Sequence, residues 1–215
     1  MRGRPAGFTV LGMSIISEFL RHPFRTGAIA PSSPRLAEAM TTGIGLERAR
    51  TVVELGPGTG VFTDAVLRRL APGARLVAVE VNPRLAADLR ARYAGLPVTV
   101  VEGSAEVLAD HVDGPIDAVV SGLPWTAMPG HLQRRVLGQI TSVLRAEGRF
   151  TTFAYSHTAW TPPARRFAAS LRASFGVLER GPLVWPNLPP AFAYRAALPV
   201  AATGGPRGRS AALAH

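Results

Sequence analysis

Residues 52–60 read Val-Val-Glu-Leu-Gly-Pro-Gly-Thr-Gly, and this stretch constrains the fold of the 215-residue chain more than any other. Two β-branched residues lead into Glu54, glycines follow at 56, 58 and 60, and Val61 to Leu70 is apolar at helical spacing. That order predicts a buried strand, a tight turn and a helix start. Glycine permits positive φ and lets backbone approach a ligand closely. The unpaired N–H groups of the next helix then face that ligand. A dinucleotide turn has the spacing G-x-G-x-x-G, whereas here the third glycine comes one residue early. A second strand, Leu76-Val77-Ala78-Val79, ends in Glu80, 20 positions after Gly60. Folds of this kind place a carboxylate there to accept hydrogen bonds from ribose hydroxyls. Turn and acid together predict a nucleoside-bearing cofactor rather than an ordinary βα connection.

The rest of the chain keeps an α/β rhythm. Strands are expected at 51–55, 76–80, 98–102, 116–121 and 149–155, and helices at 61–70, 83–92, 130–145 and 163–174. Two late strands, Val177–Val184 and Ala191–Leu198, flank Trp185-Pro186-Asn187-Leu188-Pro189-Pro190. Alternation of this kind implies a mostly parallel sheet covered on both faces, with ligands at the carboxyl ends of the strands. The informative turns are 56–60, 80–83, 102–105 and 121–125. We expect residues 1–45 to be a helical segment that associates with membrane and covers the cofactor. Residues 46–200 are expected to form the α/β domain, and 201–215, rich in Gly, Ala and Arg, a disordered tail.

The run Glu-Leu-Gly-Pro-Gly-Thr-Gly, with Glu80 after it, closely resembles motif I of the class I S-adenosylmethionine-dependent methyltransferases. The resemblance implies a Rossmann-like, mostly parallel seven-stranded sheet with helices on both faces and an N-terminal helical extension. It implies S-adenosylmethionine as cofactor and S-adenosylhomocysteine as product. The cofactor would contact Glu54, Gly56, Pro57, Gly58, Gly60, Glu80, Val81, Ser104, Ala105, Ser121 and Leu123. Ser104 stands where such enzymes often offer an Asp to the adenine amine.

Ser121-Gly122-Leu123-Pro124-Trp125 closes the fourth strand and is similar to the N-L-P-aromatic motif of the rRNA adenine N6-methyltransferases, with Gly122 in the Asn place. Taken with FLRHPFRTGAIAPSS, VEVNP and the Pro-Asn-Leu-Pro-Pro turn, the chain resembles the bacterial phospholipid N-methyltransferases, which convert phosphatidylethanolamine to phosphatidylcholine. That likeness implies an enzyme that methylates a phospholipid amine from the cytoplasmic side, peripherally bound to the membrane. A nucleic-acid adenine N6-methyltransferase and a small-molecule amine methyltransferase are the alternatives. Methyl transfer to a neutral amine depends on proximity and alignment, so no strong base is demanded. Ser121, Trp125 and Tyr155 are the expected catalytic-side residues, with His157 a further candidate. Trp125, Tyr155, Trp160 and Phe24 could hold a quaternary cation on aromatic faces.

Charge bears on the partner. All 24 basic residues are Arg, and the formal net charge is +10. Arg forks phosphate with paired hydrogen bonds, which suits an anionic membrane or, less well here, nucleic acid. Phe8 to Leu20 is too short to span a bilayer, which takes ~20 apolar residues. Glu18, Arg21, His22 and Arg25 break the pattern of a signal peptide. An interfacial helix or a helix packed on the core both fit that stretch. The segment His157–Phe175 is a second membrane candidate, with Arg165, Arg166 and Arg172 beside an apolar face. The chain has no Cys, and its five His show no ligand spacing, so no metal is expected.

Overall fold

A computed structural model describes residues 32–200. The expected interfacial helix at 8–20, the GAIAP stretch, Phe24 and the tail from 201 lie outside the described residues. Seven strands form one sheet in the order β3-β2-β1-β4-β5-β7-β6. They are β1 (Thr51–Leu55), β2 (Arg75–Glu80), β3 (Val98–Glu102), β4 (Ile116–Ser121), β5 (Leu144–Tyr155), β6 (Phe175–Val184) and β7 (Ala191–Pro199). The first five run parallel, and β7 inserts antiparallel between β5 and β6. The helices are α1 (Pro34–Thr41), α2 (Val61–Leu67), α3 (Pro83–Arg92), α4 (Gly130–Val143) and α5 (Pro162–Ser174). The Rossmann-like methyltransferase fold expected from motif I is the fold observed.

Alternation along the strands sorts the core into two layers. Val53, Leu55, Val77, Val79 and Val119 face α4 and α5 through Leu132, Val136, Leu137, Ile140, Phe167 and Leu171. Val52, Leu76, Ala118 and Val120 face α1 and α2 through Leu36, Met40, Phe62, Ala65 and Val66. Helix starts follow their sequence signals. The Ser33 hydroxyl accepts from the Leu36 amide with Pro34 behind it, and the Asn82 side chain accepts from Arg84 and Leu85 with Pro83 first in the helix.

Three expectations need correction. Helix α2 ends at Leu67, three residues early, because Arg68 caps it before the Pro72-Gly73 turn. Strand β5 starts at Leu144, directly where α4 stops, because Leu144 already pairs with Ile116. The domain also begins before residue 46. Leu36, Ala37, Met40 and Ile44 are buried in the same cluster as Val52, so 34–45 belong to the core and not to a separate segment.

Three glycines extend the ladders just beyond the carboxyl ends of the strands. The amides of Gly56, Gly103 and Gly122 donate to the carbonyls of Val79, Glu80 and Leu55 at 3.0, 3.0 and 2.8 Å. These bonds hold the turns after β1, β3 and β4 against their neighbours, at the same edge of the sheet as the acid ending β2.

Candidate active site

The glycine turn after β1 takes positive φ at all three glycines: 68° at Gly56, 57° at Gly58 and 88° at Gly60. Each glycine is needed for a different reason. A β-carbon on Gly56 would touch Leu123 at 3.0 Å, and one on Gly60 would collide with the Tyr93 hydroxyl. A β-carbon on Gly58 would meet nothing within 4 Å. Gly58 therefore borders open space, as a residue against a ligand does. Pro57 is buried, and its carbonyl accepts from the Gly60 amide at 2.9 Å, which closes the turn.

Glu80 reaches across to this turn. One carboxylate oxygen accepts from the Gly58 amide at 3.2 Å, the other from the Asn82 amide at 2.9 Å. Burial pushes its pKa up, and backbone donors at Asn82, Gly58 and Val81 oppose that. Each oxygen keeps a lone pair for a further donor such as a hydroxyl.

Glu54 lies beneath the turn, on the face toward α2. It is fully buried, and the Thr63 hydroxyl donates to one of its oxygens at 2.6 Å. The other oxygen, Oε1, has no partner. Desolvation raises its pKa to about 8, with the Thr63 bond opposing and the charge of Glu80 adding. A cationic group placed over the turn would supply what this carboxyl lacks.

The turn is held from outside by residues that sequence reasoning missed. The Tyr93 hydroxyl shares its one proton between the Gly60 carbonyl at 3.0 Å and Asp64 at 2.8 Å. Arg92 donates to the Thr59 carbonyl at 2.8 Å and pairs with Asp64 at 2.5 Å. The end of α3 thus clamps both sides of the glycine turn. No local pattern marks Arg92 or Tyr93, since their partners lie about thirty residues away. The Thr63 partner of Glu54 is likewise invisible in sequence, whereas the Asn-Pro cap at 82–83 was legible.

After β3, the Ser104 hydroxyl accepts from the Glu106 amide at 3.2 Å and so caps the turn that follows. Its O–H stays free to donate. Ala105 is buried beside it, and Val81 and Leu123 pack against the core below the cleft.

The expectations after β4 change most. The Ser121 hydroxyl is buried and accepts from the Leu123 amide at 3.4 Å and the Trp125 indole at 3.0 Å. Trp125 is 2% exposed. It stacks on Phe167 with centroids 4.9 Å apart and meets Phe150 edge-on. Ser121 and Trp125 are therefore fasteners of the 121–125 turn in the core, and neither offers its side chain to a methyl acceptor. Pro124 at φ −81°, ψ 63° makes an inverse γ-turn, with the Trp125 amide on the Leu123 carbonyl at 2.9 Å. Trp160, another aromatic expected near a cation, is 69% exposed.

Tyr155 is the last residue of β5, at the carboxyl edge of the sheet. It is half-buried, edge-on to Phe153 at 5.4 Å and 5.9 Å from the exposed His157 ring. Phe153 continues the row to Phe62, at the start of α2, at 5.9 Å. Burial raises the Tyr155 pKa, so at neutral pH its hydroxyl is a donor and not a base.

Residues 52–148 match a family model described as a methyltransferase domain. The chain is 34% identical over 184 residues to the ornithine lipid N-methyltransferase of Singulisphaera acidiphila, covering 83% of this chain and 92% of that one. It is 27% identical over 141 residues to the ribosomal RNA small subunit methyltransferase A of Gloeobacter violaceus, covering 65% of this chain and 46% of that enzyme. Its fold is similar to that of a Bacillus cereus O-methyltransferase solved with S-adenosylhomocysteine, with TM-score 0.61, 16% identity, and 86% of this chain and 90% of that chain covered.

Proposed function

Because this chain belongs to the class I S-adenosylmethionine-dependent methyltransferases, in the family of the ornithine lipid N-methyltransferase, we propose that it methylates the amine of a membrane lipid head group. The cofactor is S-adenosylmethionine, and the residues of the cleft fit it. The open space over Gly58, the spare lone pairs of Glu80 and the unpartnered Glu54 Oε1 suit a cationic nucleoside with ribose hydroxyls. When bound, it supplies an electrophilic methyl group on sulfur.

The observation that carries the lipid reading is the extent of the match to the lipid enzyme, which runs through nearly the whole of both chains. The RNA enzyme aligns over less than half of its own length. The geometry agrees. An adenine amine needs a side-chain acceptor after β4, and Gly122 has none. An aliphatic amine that enters in its neutral form, its proton given up to water, needs only to be aligned with the methyl, and each methylated product returns its remaining proton to water before the next transfer. Tyr155 then works as donor and aromatic wall. The successive methylations leave a quaternary ammonium, which such a face holds well.

Phosphatidylethanolamine and ornithine lipid present the same chemistry here, a primary amine tethered near a lipid's polar group. We name phosphatidylethanolamine, taken toward phosphatidylcholine, as the acceptor, on the motifs outside the cofactor turn. Among the described residues no helix is long and apolar enough to cross a membrane. We propose that the enzyme reaches its substrate from the membrane surface. Mass spectrometry of lipids from a bacterial host that lacks N-methylated lipids, expressing this chain, tests the reading. Mono-, di- or trimethylated phosphatidylethanolamine supports it. N-methylated ornithine lipid alone moves the acceptor, and an unchanged lipidome with methylated ribosomal RNA overturns it.

A further inference from the structure

Two tryptophans and a leucine stand out of the surface together. Trp160 is 69% exposed, Trp185 70% and Leu188 69%, more than any other large apolar side chain among the described residues. Scattered apolar residues on a surface are ordinary, whereas a group of large ones marks an interaction site.

The topology brings these three to one edge. Tyr155 of β5 pairs with Ala191 of β7, and Ala191 pairs with Val184 of β6, so these residues form one row across three strands. Trp185 and Leu188 lie in the turn that leaves this row at Val184 and returns at Ala191. Trp160 follows Tyr155 through the short 3₁₀ turn Ser156–Thr158. The Ser156 amide donates to the Pro190 carbonyl at 2.8 Å and ties the two segments together. This is the carboxyl end of β5, the same edge of the sheet as Glu80 and the glycine turns, with Tyr155 itself in the row.

The turn is held firmly. Asn187 is 2% exposed, accepts from the Ser33 amide at 2.9 Å and donates to the Pro189 carbonyl at 2.7 Å. With Asn187 turned inward and bonded, Trp185 and Leu188 on either side of it are presented outward. Charge follows the same region. Residues 156–200 contain five Arg and a single acid, Glu179. Arg165 and Arg166 are exposed on α5, which starts just after Trp160, and neither pairs with a carboxylate among the described residues.

We propose that Trp160, Trp185 and Leu188 insert into the interface of an anionic bilayer, with Arg165 and Arg166 on its phosphates, and thereby seat the cleft on the membrane. Indole rings favour the head-group level, where an apolar body and a polar N–H are both satisfied. Apolar insertion and arginine–phosphate attraction add, and the second falls with salt. The inference rests on the lipid-amine reading for its purpose, since a surface beside Tyr155 delivers a head group to the methyl donor without the lipid leaving the bilayer.

The test uses the full chain and vesicles of phosphatidylcholine mixed with phosphatidylglycerol, some carrying bromine on the acyl chains. The unmodified protein should sediment with them, more weakly with phosphatidylcholine alone, and bromine should quench its tryptophan emission. Trp125, being buried, supplies an unquenched internal reference. The double variant Trp185→Ala/Leu188→Ala should lose at least about tenfold in partitioning, since two apolar side chains no longer leave water. Its affinity for S-adenosylmethionine should be unchanged, which shows that it folds. Equal partitioning of the variant overturns the proposal. So does unquenched emission from the unmodified protein, whether a second copy or another part of the chain covers the rim. Methyl transfer to a short-chain phosphatidylethanolamine dispersed in water is scored separately. Activity there with rim-independent vesicle binding refutes only the docking surface, and rim-dependent binding without any lipid methylation refutes only the acceptor.

Discussion

A β-carbon on Gly122 would stand 2.7 Å from the carbonyl oxygen of Gly56. The turn after β4 is packed directly on the cofactor turn after β1, with the Phe62 ring 3.3 Å from the same point. Gly122→Ala must push on backbone, and overpacking of that kind costs about 1–3 kcal/mol. We expect a lower melting temperature and weaker binding of S-adenosylmethionine. Gly122→Asn should do the same without creating activity on RNA, as assayed by labelled methyl transfer.

We expect the cofactor to come closest to backbone at Gly58. Its φ of 57° disfavours any side chain, and the space above it is open. Gly58→Val should leave the circular dichroism spectrum in place and abolish cofactor binding by calorimetry. Retained affinity would remove the cofactor from this turn.

Glu54 should make stability depend on pH. Its folded pKa near 8 lies above the unfolded value of 4.5, so the folded state keeps a proton that the unfolded state releases. The penalty is absent below about pH 4.5, grows as pH rises, and levels off above about pH 8, at roughly 1.4 kcal/mol per unit of separation. Urea denaturation of the cofactor-free protein across this window should show the decline, and Glu54→Gln should flatten it.

The same carboxyl predicts a proton count. A cation seated over the turn favours the charged form of Glu54, so cofactor binding near pH 7 should release a proton. Calorimetry in two buffers of different ionisation enthalpy reads this directly. Glu54→Gln should bind with no buffer dependence from this group.

Tyr93 and Arg92 hold the turn rather than the ligand. Tyr93→Phe removes the one hydroxyl proton shared between Gly60 and Asp64 and should cost about 1 kcal/mol of stability. Its effect on the enzyme should fall on KM for S-adenosylmethionine with kcat nearly unchanged.

The parts that were legible in sequence are those set by local chemistry. Glycine spacing, the acid at the end of β2 and the Asn-Pro cap are each written within a few residues, and the parallel sheet follows from the alternation of apolar runs. What was not legible depends on contacts made across the fold. Trp125 after a strand end looks like a functional aromatic. Only the packing of α5 shows that Phe167 covers its face and that Ser121 takes up its N–H. Residues 34–45 read as an appendage because their apolar positions have no partner until α2 and β1 are in place. The clamp from α3 was hidden for the same reason.

The central claim is a methyl group moved from S-adenosylmethionine to a lipid amine. Its most direct test gives the purified full-length protein methyl-labelled cofactor in the presence of vesicles containing phosphatidylethanolamine, vesicles containing ornithine lipid, and ribosomal RNA, each separately. The account predicts label in the phosphatidylethanolamine fraction, in a form that comigrates with its N-methylated derivatives. Label in RNA and none in either lipid would contradict it.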